Sequence, residues 1–138
     1  MRKLVFYLLI TPVFITFISL IFQPKISVYS GSIEFSGSNA FNLLKTITSE
    51  YKYRVVGSER DREIAYWIVD YFESLGLDVY IDKFEAPGFN REKVDAYNVY
   101  AIKRGVENSF IVLIAHHDIV PTTIEGANDN GAGVAILM

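Results

Sequence analysis

The sequence predicts an α/β fold, a mixed β-sheet flanked by helices, preceded by an N-terminal transmembrane helix. Three observations predict it: an uncharged apolar run near the N-terminus, two helical patterns in the middle, and three strand-like segments ahead of a further helix start. The apolar run extends from Leu4 to Phe22. That is close to the roughly 20 residues a helix needs to cross a bilayer. Thr11, Pro12, Thr16 and Ser19 interrupt it, which a membrane helix tolerates. Arg2 and Lys3 precede it and favour a cytoplasmic N-terminus, although Lys25 on the far side weakens that bias. A cleaved secretory signal is the alternative, but such a signal has an apolar core of only about 7–15 residues. No small-x-small cleavage pattern follows Phe22, where Gln23-Pro24-Lys25 stands instead. A buried core helix is the third reading. The expected organisation is a signal anchor over 1–22, a linker over 23–38 and one domain over 39–138.

The linker assignment rests on the Ser- and Gly-rich stretch QPKISVYSGSIEFSGS. From Asn39 to about Tyr51, the apolar residues Phe41, Leu43, Leu44 and Ile47 suit an amphipathic helix. Arg54-Val55-Val56-Gly57-Ser58 then forms a loop ending in an N-cap, and Ser58 with Asp61 resembles a capping box built with the shorter acid. Ile64, Trp67, Ile68, Tyr71, Phe72 and Leu75 recur at helical spacing behind it, with Gly76 as the stop. Leu77 to Phe84 alternates as a half-buried strand does, and Ala96 to Lys103 alternates less cleanly. Phe110 to Ala115 is a continuous apolar run, expected as a central strand covered on both faces.

Of the 138 residues, 13 are basic and 16 acidic. With Arg2, Lys3 and Lys25 set aside, 10 basic residues face 16 acidic ones, so the outward portion is acidic. No basic stripe is present, which argues against a nucleic-acid partner. Cysteine is absent, which excludes a disulfide framework and leaves His, Asp and Glu as the side chains able to ligate zinc.

The chemistry gathers after the third strand segment. His116-His117-Asp118 follows the apolar run, at the strand end where ligands collect in open α/β sheets. Residues two apart on a strand share a face, so His116 and Asp118 are expected to point one way and His117 the other. A carboxylate beside a metal-ligating His orients the ring and raises its basicity. A short loop leads to Gly126-Ala127-Asn128-Asp129-Asn130-Gly131-Ala132-Gly133, whose small residues let the backbone pass close to a site. They put Asp129 near the start of a helix expected from about Asn130, where one carboxylate can bridge two cations.

Taken together, the apolar strand, the H-x-D, the short loop and the G-A-N-D-N resemble the family-28 metallopeptidases, the zinc aminopeptidase family. RVVGSERDREIAYWIVDYFESLGLDV resembles that family's arginine-x-x-Gly-Ser loop and first long helix, and Asn98-Val99 also fits. The resemblance covers about Asn39 to Met138. It implies that His116 is a zinc ligand, that Asp118 is the catalytic-site carboxylate supporting it, and that Asp129 bridges two zinc ions. It also implies a non-proline cis peptide at Asp129–Asn130. His117 stands where the family carries an aromatic residue and is expected to pack or face substrate rather than ligate. H-x-D-x-V-P is similar to the family-20 metallopeptidases too, but the short gap before Asp129 and the G-A-N-D-N form favour family 28.

The resemblance further implies a general-base Glu, an adjacent Glu ligand, an Asp or Glu ligand and a final His, all from later segments. The sequence is therefore expected to be the N-terminal part of a longer enzyme, or a truncated product, and to be inactive alone. Three functions remain open. The first is the front part of a membrane-anchored, outward-facing zinc aminopeptidase acting on peptides. The second is a non-catalytic binding ectodomain of the same fold, and the third is glutaminyl-cyclase-like acyl transfer with one zinc.

Overall fold

A computed structural model describes residues 11, 12, 14, 15, 35–107 and 109–138. The chain divides into two compact units, Met1–Glu34 and Phe35–Met138. In the first, Thr11, Pro12, Phe14 and Ile15 are helical. The expected transmembrane segment otherwise lies outside the described residues, as does the expected linker up to Glu34. No helix among the described residues is long and apolar enough to cross a membrane.

The second unit opens with helix α1, Gly37–Glu50. It starts two residues earlier than the apolar pattern suggests, because Ser36 serves as its N-cap and accepts a hydrogen bond from the Asn39 amide. Helix α2, Glu59–Ser74, begins where the sequence places it. The Ser58 hydroxyl accepts from the Asp61 amide at 3.1 Å, and the Asp61 carboxylate reaches back to the Gly57 amide at 3.1 Å. The reciprocal bond of the capping box falls on Gly57 because the Ser58 amide already donates to the Val55 carbonyl.

Strands β1, Asp78–Pro87, and β2, Lys93–Ile102, pair antiparallel in a register that runs from Asp78 opposite Ile102 to Pro87 opposite Lys93. The ladder reaches further toward the hairpin than the alternation alone indicates. The Gly88 amide donates to the Glu92 carbonyl at 2.7 Å, which closes the turn tightly and carries pairing up to Pro87. The hairpin packs on α2, where Tyr97 of β2 is buried against Tyr66 at 6.1 Å between ring centroids.

The expected mixed sheet is, among the described residues, this two-stranded antiparallel sheet. The run from Phe110 to Ala115 forms no ladder, contrary to its reading as a central strand, and Phe110 to Ile114 are 71–92% exposed. The physical reason is plain. A fully apolar strand is stable only with hydrogen-bonding neighbours and cover on both faces, and no described element supplies either. Parallel contact appears further on, as a single bridge between Val55 and Ile119.

A kinked turn over Ala127–Gly131 leads into helix α3, Ala132–Leu137. In it the Gly131 amide donates to the Gly126 carbonyl and the Ala132 amide to the Ala127 carbonyl, each spanning five residues. Asp129 and Asn130 have non-helical backbone angles, so the helix begins two residues after the expected Asn130. Alpha-helix α3 docks on α1, and the core gathers Ile47 from α1, Ile64 and Ile68 from α2, and Val134 and Ala135 from α3. A six-residue helix has no stability of its own in water, so this apolar contact holds it and, through it, the turn that carries Asp129.

Ile47 is fully buried at the centre of that contact. Ile47→Ala is expected to lower unfolding stability by about 2–5 kcal/mol. Urea titration followed by the fluorescence of Trp67, the single tryptophan, measures it. A loss under about 0.5 kcal/mol, the range of an ordinary surface substitution, would remove Ile47 from the core.

Candidate metal centre

The loop entering α2 and the segment after the apolar run meet through their backbones. The Ile119 amide donates to the Arg54 carbonyl at 3.1 Å, and the Tyr53 amide donates to the Ile124 carbonyl at 2.9 Å. The Arg54 side chain closes the same junction from within. It is fully buried, and its guanidinium donates to four backbone carbonyls: His117 at 2.5 Å from Nε, Glu125 at 2.6 Å and Tyr51 at 3.3 Å from Nη1, and Gly126 at 2.9 Å from Nη2. Burial draws this guanidinium below its ordinary pKa, and the negative charge of Asp118 opposes that shift.

Around this junction, His116 and His117 point apart, as strand alternation predicts. His117 Nε2 lies 3.1 Å from Oδ1 of Asp61, a carboxylate that is almost wholly buried at the N-terminus of α2. The pair has the distance of a hydrogen bond without its alignment. His117 thus ties the H-x-D segment to α2 and is turned away from His116, in keeping with a packing role.

His116 stands between two aspartates. Its Nδ1 lies 3.2 Å from the Asp118 carbonyl and 3.4 Å from the Asp118 carboxylate. Both are acceptors and suit a ring proton on Nδ1, the tautomer in which Nε2 is able to ligate a metal. In the neutral ring Nε2 then carries a lone pair, and it faces Oδ1 of Asp129 at 3.0 Å. Two electron-rich atoms at that separation repel unless a proton or a cation stands between them. A tetrahedral zinc with ligand distances of about 2.0–2.1 Å holds neighbouring ligand atoms roughly 3.3 Å apart, so the spacing fits two ligands of one ion. The Asp129 carboxylate is 86% exposed, which leaves its second oxygen free to meet a further cation. The Asp129–Asn130 peptide bond is cis, as the resemblance implies.

Among the described residues, no group of three or more His, Asp or Glu side chains converges as a complete metal site. Glu125 does not fill the gap, because its carboxylate pairs with Lys52 at 3.3 Å. The structure places His116 against Asp118 on one ring nitrogen and against Asp129 on the other, without joining the two aspartates to each other. Sequence reasoning missed the clamp formed by Arg54 and the contact between Asp61 and His117. The available signal for the first was the arginine of the arginine-x-x-Gly-Ser loop, which local pattern marks as a surface loop residue. The second left no signal, since Asp61 reads fully as a capping acid.

Residues 98–138, the stretch holding all three side chains, match the model of the family described as Peptidase family M28. The resemblance drawn from the sequence is borne out there. No protein of curated function is matched by this sequence. Similar solved structures include a glutaminyl cyclase of Porphyromonas gingivalis, 27% identical, with a TM-score of 0.68 over 75% of this chain and 37% of that one. A Zn-dependent exopeptidase from Parabacteroides distasonis is 19% identical, with a TM-score of 0.64 over 78% of this chain and 40% of that one. The glutaminyl cyclase of Fimbriiglobus ruber is 17% identical, with a TM-score of 0.59 over 83% of this chain and 42% of that one. The last two likenesses concern the fold. This chain spans about two fifths of the length of the structures it matches.

Gly126 has φ +55, and a Cβ there would lie 2.3 Å from Ile119 Cγ2, 2.9 Å from Arg54 Nη2 and 2.9 Å from the Asp129 carbonyl. Gly76 has φ +74 with nothing within 4 Å of its would-be Cβ. Replacing either by Ala carries the left-handed backbone cost of about 1–2 kcal/mol. Gly126→Ala adds the collision, so its loss of stability in thermal unfolding is expected to exceed that of Gly76→Ala. Equal losses would show that the junction has room to relax.

Proposed function

We propose that this chain supplies the first metal ligands of a zinc-dependent peptidase of the aminopeptidase type. The observation that carries the reading is the orientation of His116, with Nδ1 turned to two acceptors on Asp118 and Nε2 turned to the Asp129 carboxylate at 3.0 Å. His116 and Asp129 would hold zinc, and Asp118 would hold the His116 ring in the ligating tautomer. When bound, zinc polarises a scissile carbonyl and lowers the pKa of a bound water. The chain's own residues do the work of placement. Asp118 fixes the ring, Asp129 offers a second oxygen toward a second ion, and the buried contact of His117 with Asp61 keeps the neighbouring residue out of the ligand set. Two side chains do not fill a zinc coordination sphere, so the activity proposed is that of a protein that brings further ligands and a general base to this pair.

The membrane-attached, outward-facing placement is proposed from the sequence of Met1 to Phe22. The peptide substrate is proposed from the family of the matched segment. Glutaminyl-cyclase chemistry is the second reading, favoured by the 27% identity to the Porphyromonas gingivalis enzyme. The exposed second oxygen of Asp129 supports the two-ion peptidase over one-ion acyl transfer.

In the full-length protein, His116→Ala and Asp129→Ala are each expected to weaken zinc binding by more than the factor of about 10–100 typical of outer positioning groups, and Asp118→Asn by about that factor. Isothermal titration with zinc measures both affinity and the number of ions. Hydrolysis of aminoacyl anilides with two ions bound supports the peptidase. Cyclisation of N-terminal glutamine with one ion bound would replace it by the cyclase. Unchanged zinc affinity in both alanine variants would sink the metal centre itself.

A further inference from the structure

We propose that Arg54 is the positioning residue of this centre, setting the separation of His116 and Asp129 through the backbone carbonyls that its guanidinium holds. The inference rests on the metal-ligand reading above and goes beyond it, since Arg54 is neither a ligand nor within the matched segment 98–138.

The acceptors carry the argument. His117 directly follows one ligand residue, and Gly126 opens the turn that carries the other. The guanidinium reaches the first through Nε at 2.5 Å and the second through Nη2 at 2.9 Å, with Glu125 held by Nη1 at 2.6 Å. These nitrogens share one rigid plane, so the carbonyls they bind acquire a fixed spacing. No other described side chain is hydrogen-bonded to both segments at their backbones. The acceptors are all carbonyls, none a carboxylate, so the bonds fix geometry without neutralising the charge. A lysine could not reproduce this, because one ammonium carries three donors on a single atom and cannot reach four separated carbonyls.

The junction also has ties that do not involve the side chain. The Ile119 amide on the Arg54 carbonyl, the Tyr53 amide on the Ile124 carbonyl and the bridge between Val55 and Ile119 are all backbone interactions. Shortening Arg54 therefore leaves the loops joined while freeing the carbonyls beside the ligands. A purely structural residue would lower stability and leave the ligand geometry of the folded fraction alone. A positioning residue alters the geometry as well.

The test uses the full-length protein with cobalt(II) as the probe. Wild type, Arg54→Lys, Arg54→Gln and a destabilised core variant, Ile64→Ala, are compared by cobalt affinity, by the visible ligand-field spectrum and by thermal unfolding. The expected result is a loss of affinity of about 10–100-fold in both Arg54 variants, with a shifted spectrum, while folded Ile64→Ala keeps the wild-type affinity and spectrum. Wild-type affinity and spectrum in folded Arg54 variants would overturn the inference and leave the metal centre standing. A wild-type protein that binds no cobalt would overturn the metal centre and this inference with it. Should neither variant fold, the arginine Nε–H resonance of Arg54 in wild type decides. Slow solvent exchange with and without metal supports the clamp, and fast exchange in both states overturns it.

Discussion

A guanidinium removed from water must find an acceptor for its N–H groups, and Arg54 finds four at backbone carbonyls. The consequence runs outward from that requirement. Tyr51 closes α1, His117 lies within the H-x-D, and Glu125 and Gly126 lead into the turn that carries Asp129. Segments up to 72 residues from Arg54 thus meet at one junction, which the side chain clamps alongside the backbone bonds there. Each of those carbonyls would be costly to bury alone, by about 1–3 kcal/mol, so the satisfaction is mutual. Gly126 is required there for the same reason: its backbone comes so near the guanidinium that a Cβ would stand 2.9 Å from Nη2.

A second buried charge repeats the logic on the opposite side. Asp61 caps α2 by accepting from the Gly57 amide, and its other oxygen turns to His117. Consecutive residues therefore do different work. His117 is drawn toward α2, and that leaves His116 on the face where Asp129 arrives. The apolar contact of α3 with Ile47 and its neighbours completes the arrangement, because it fixes the helix that follows Asp129. His116 and Asp129 are held from three directions: a clamp on the backbone, a capping acid behind and a small core beneath.

How much of this was legible in the sequence depended on the range of the interaction. The start of α2 was readable because Ser58 and Asp61 act within one turn of each other. The proximity of His116 to Asp118 and Asp129 was readable because the three are compact in sequence and a Gly-framed turn lies between them. Ser36 was misread as linker because a lone cap in a Ser- and Gly-rich stretch looks like any other polar residue. The role of Arg54 was hidden for a different reason. Its partners are carbonyls up to 72 residues away, and every residue type has a carbonyl, so no side-chain pattern encodes them.

The run from Phe110 to Ala115 shows where pattern reading depends on context. Its composition says that both faces should be covered, and composition cannot say by what. In the structure it forms no ladder, whereas the residues just beyond it are tightly organised: Ala115 packs on the core and Ile119 is buried and bonded to Arg54. Burial begins where the clamp and the core reach the chain, not where hydrophobicity peaks. The position of His116 is accordingly independent of the strand expected to present it. It follows from Arg54 at its neighbour's carbonyl, Asp61 at its neighbour's ring and Asp118 at its own Nδ1. A histidine so constrained turns its Nε2 in one direction, and the Asp129 carboxylate lies in that direction at 3.0 Å.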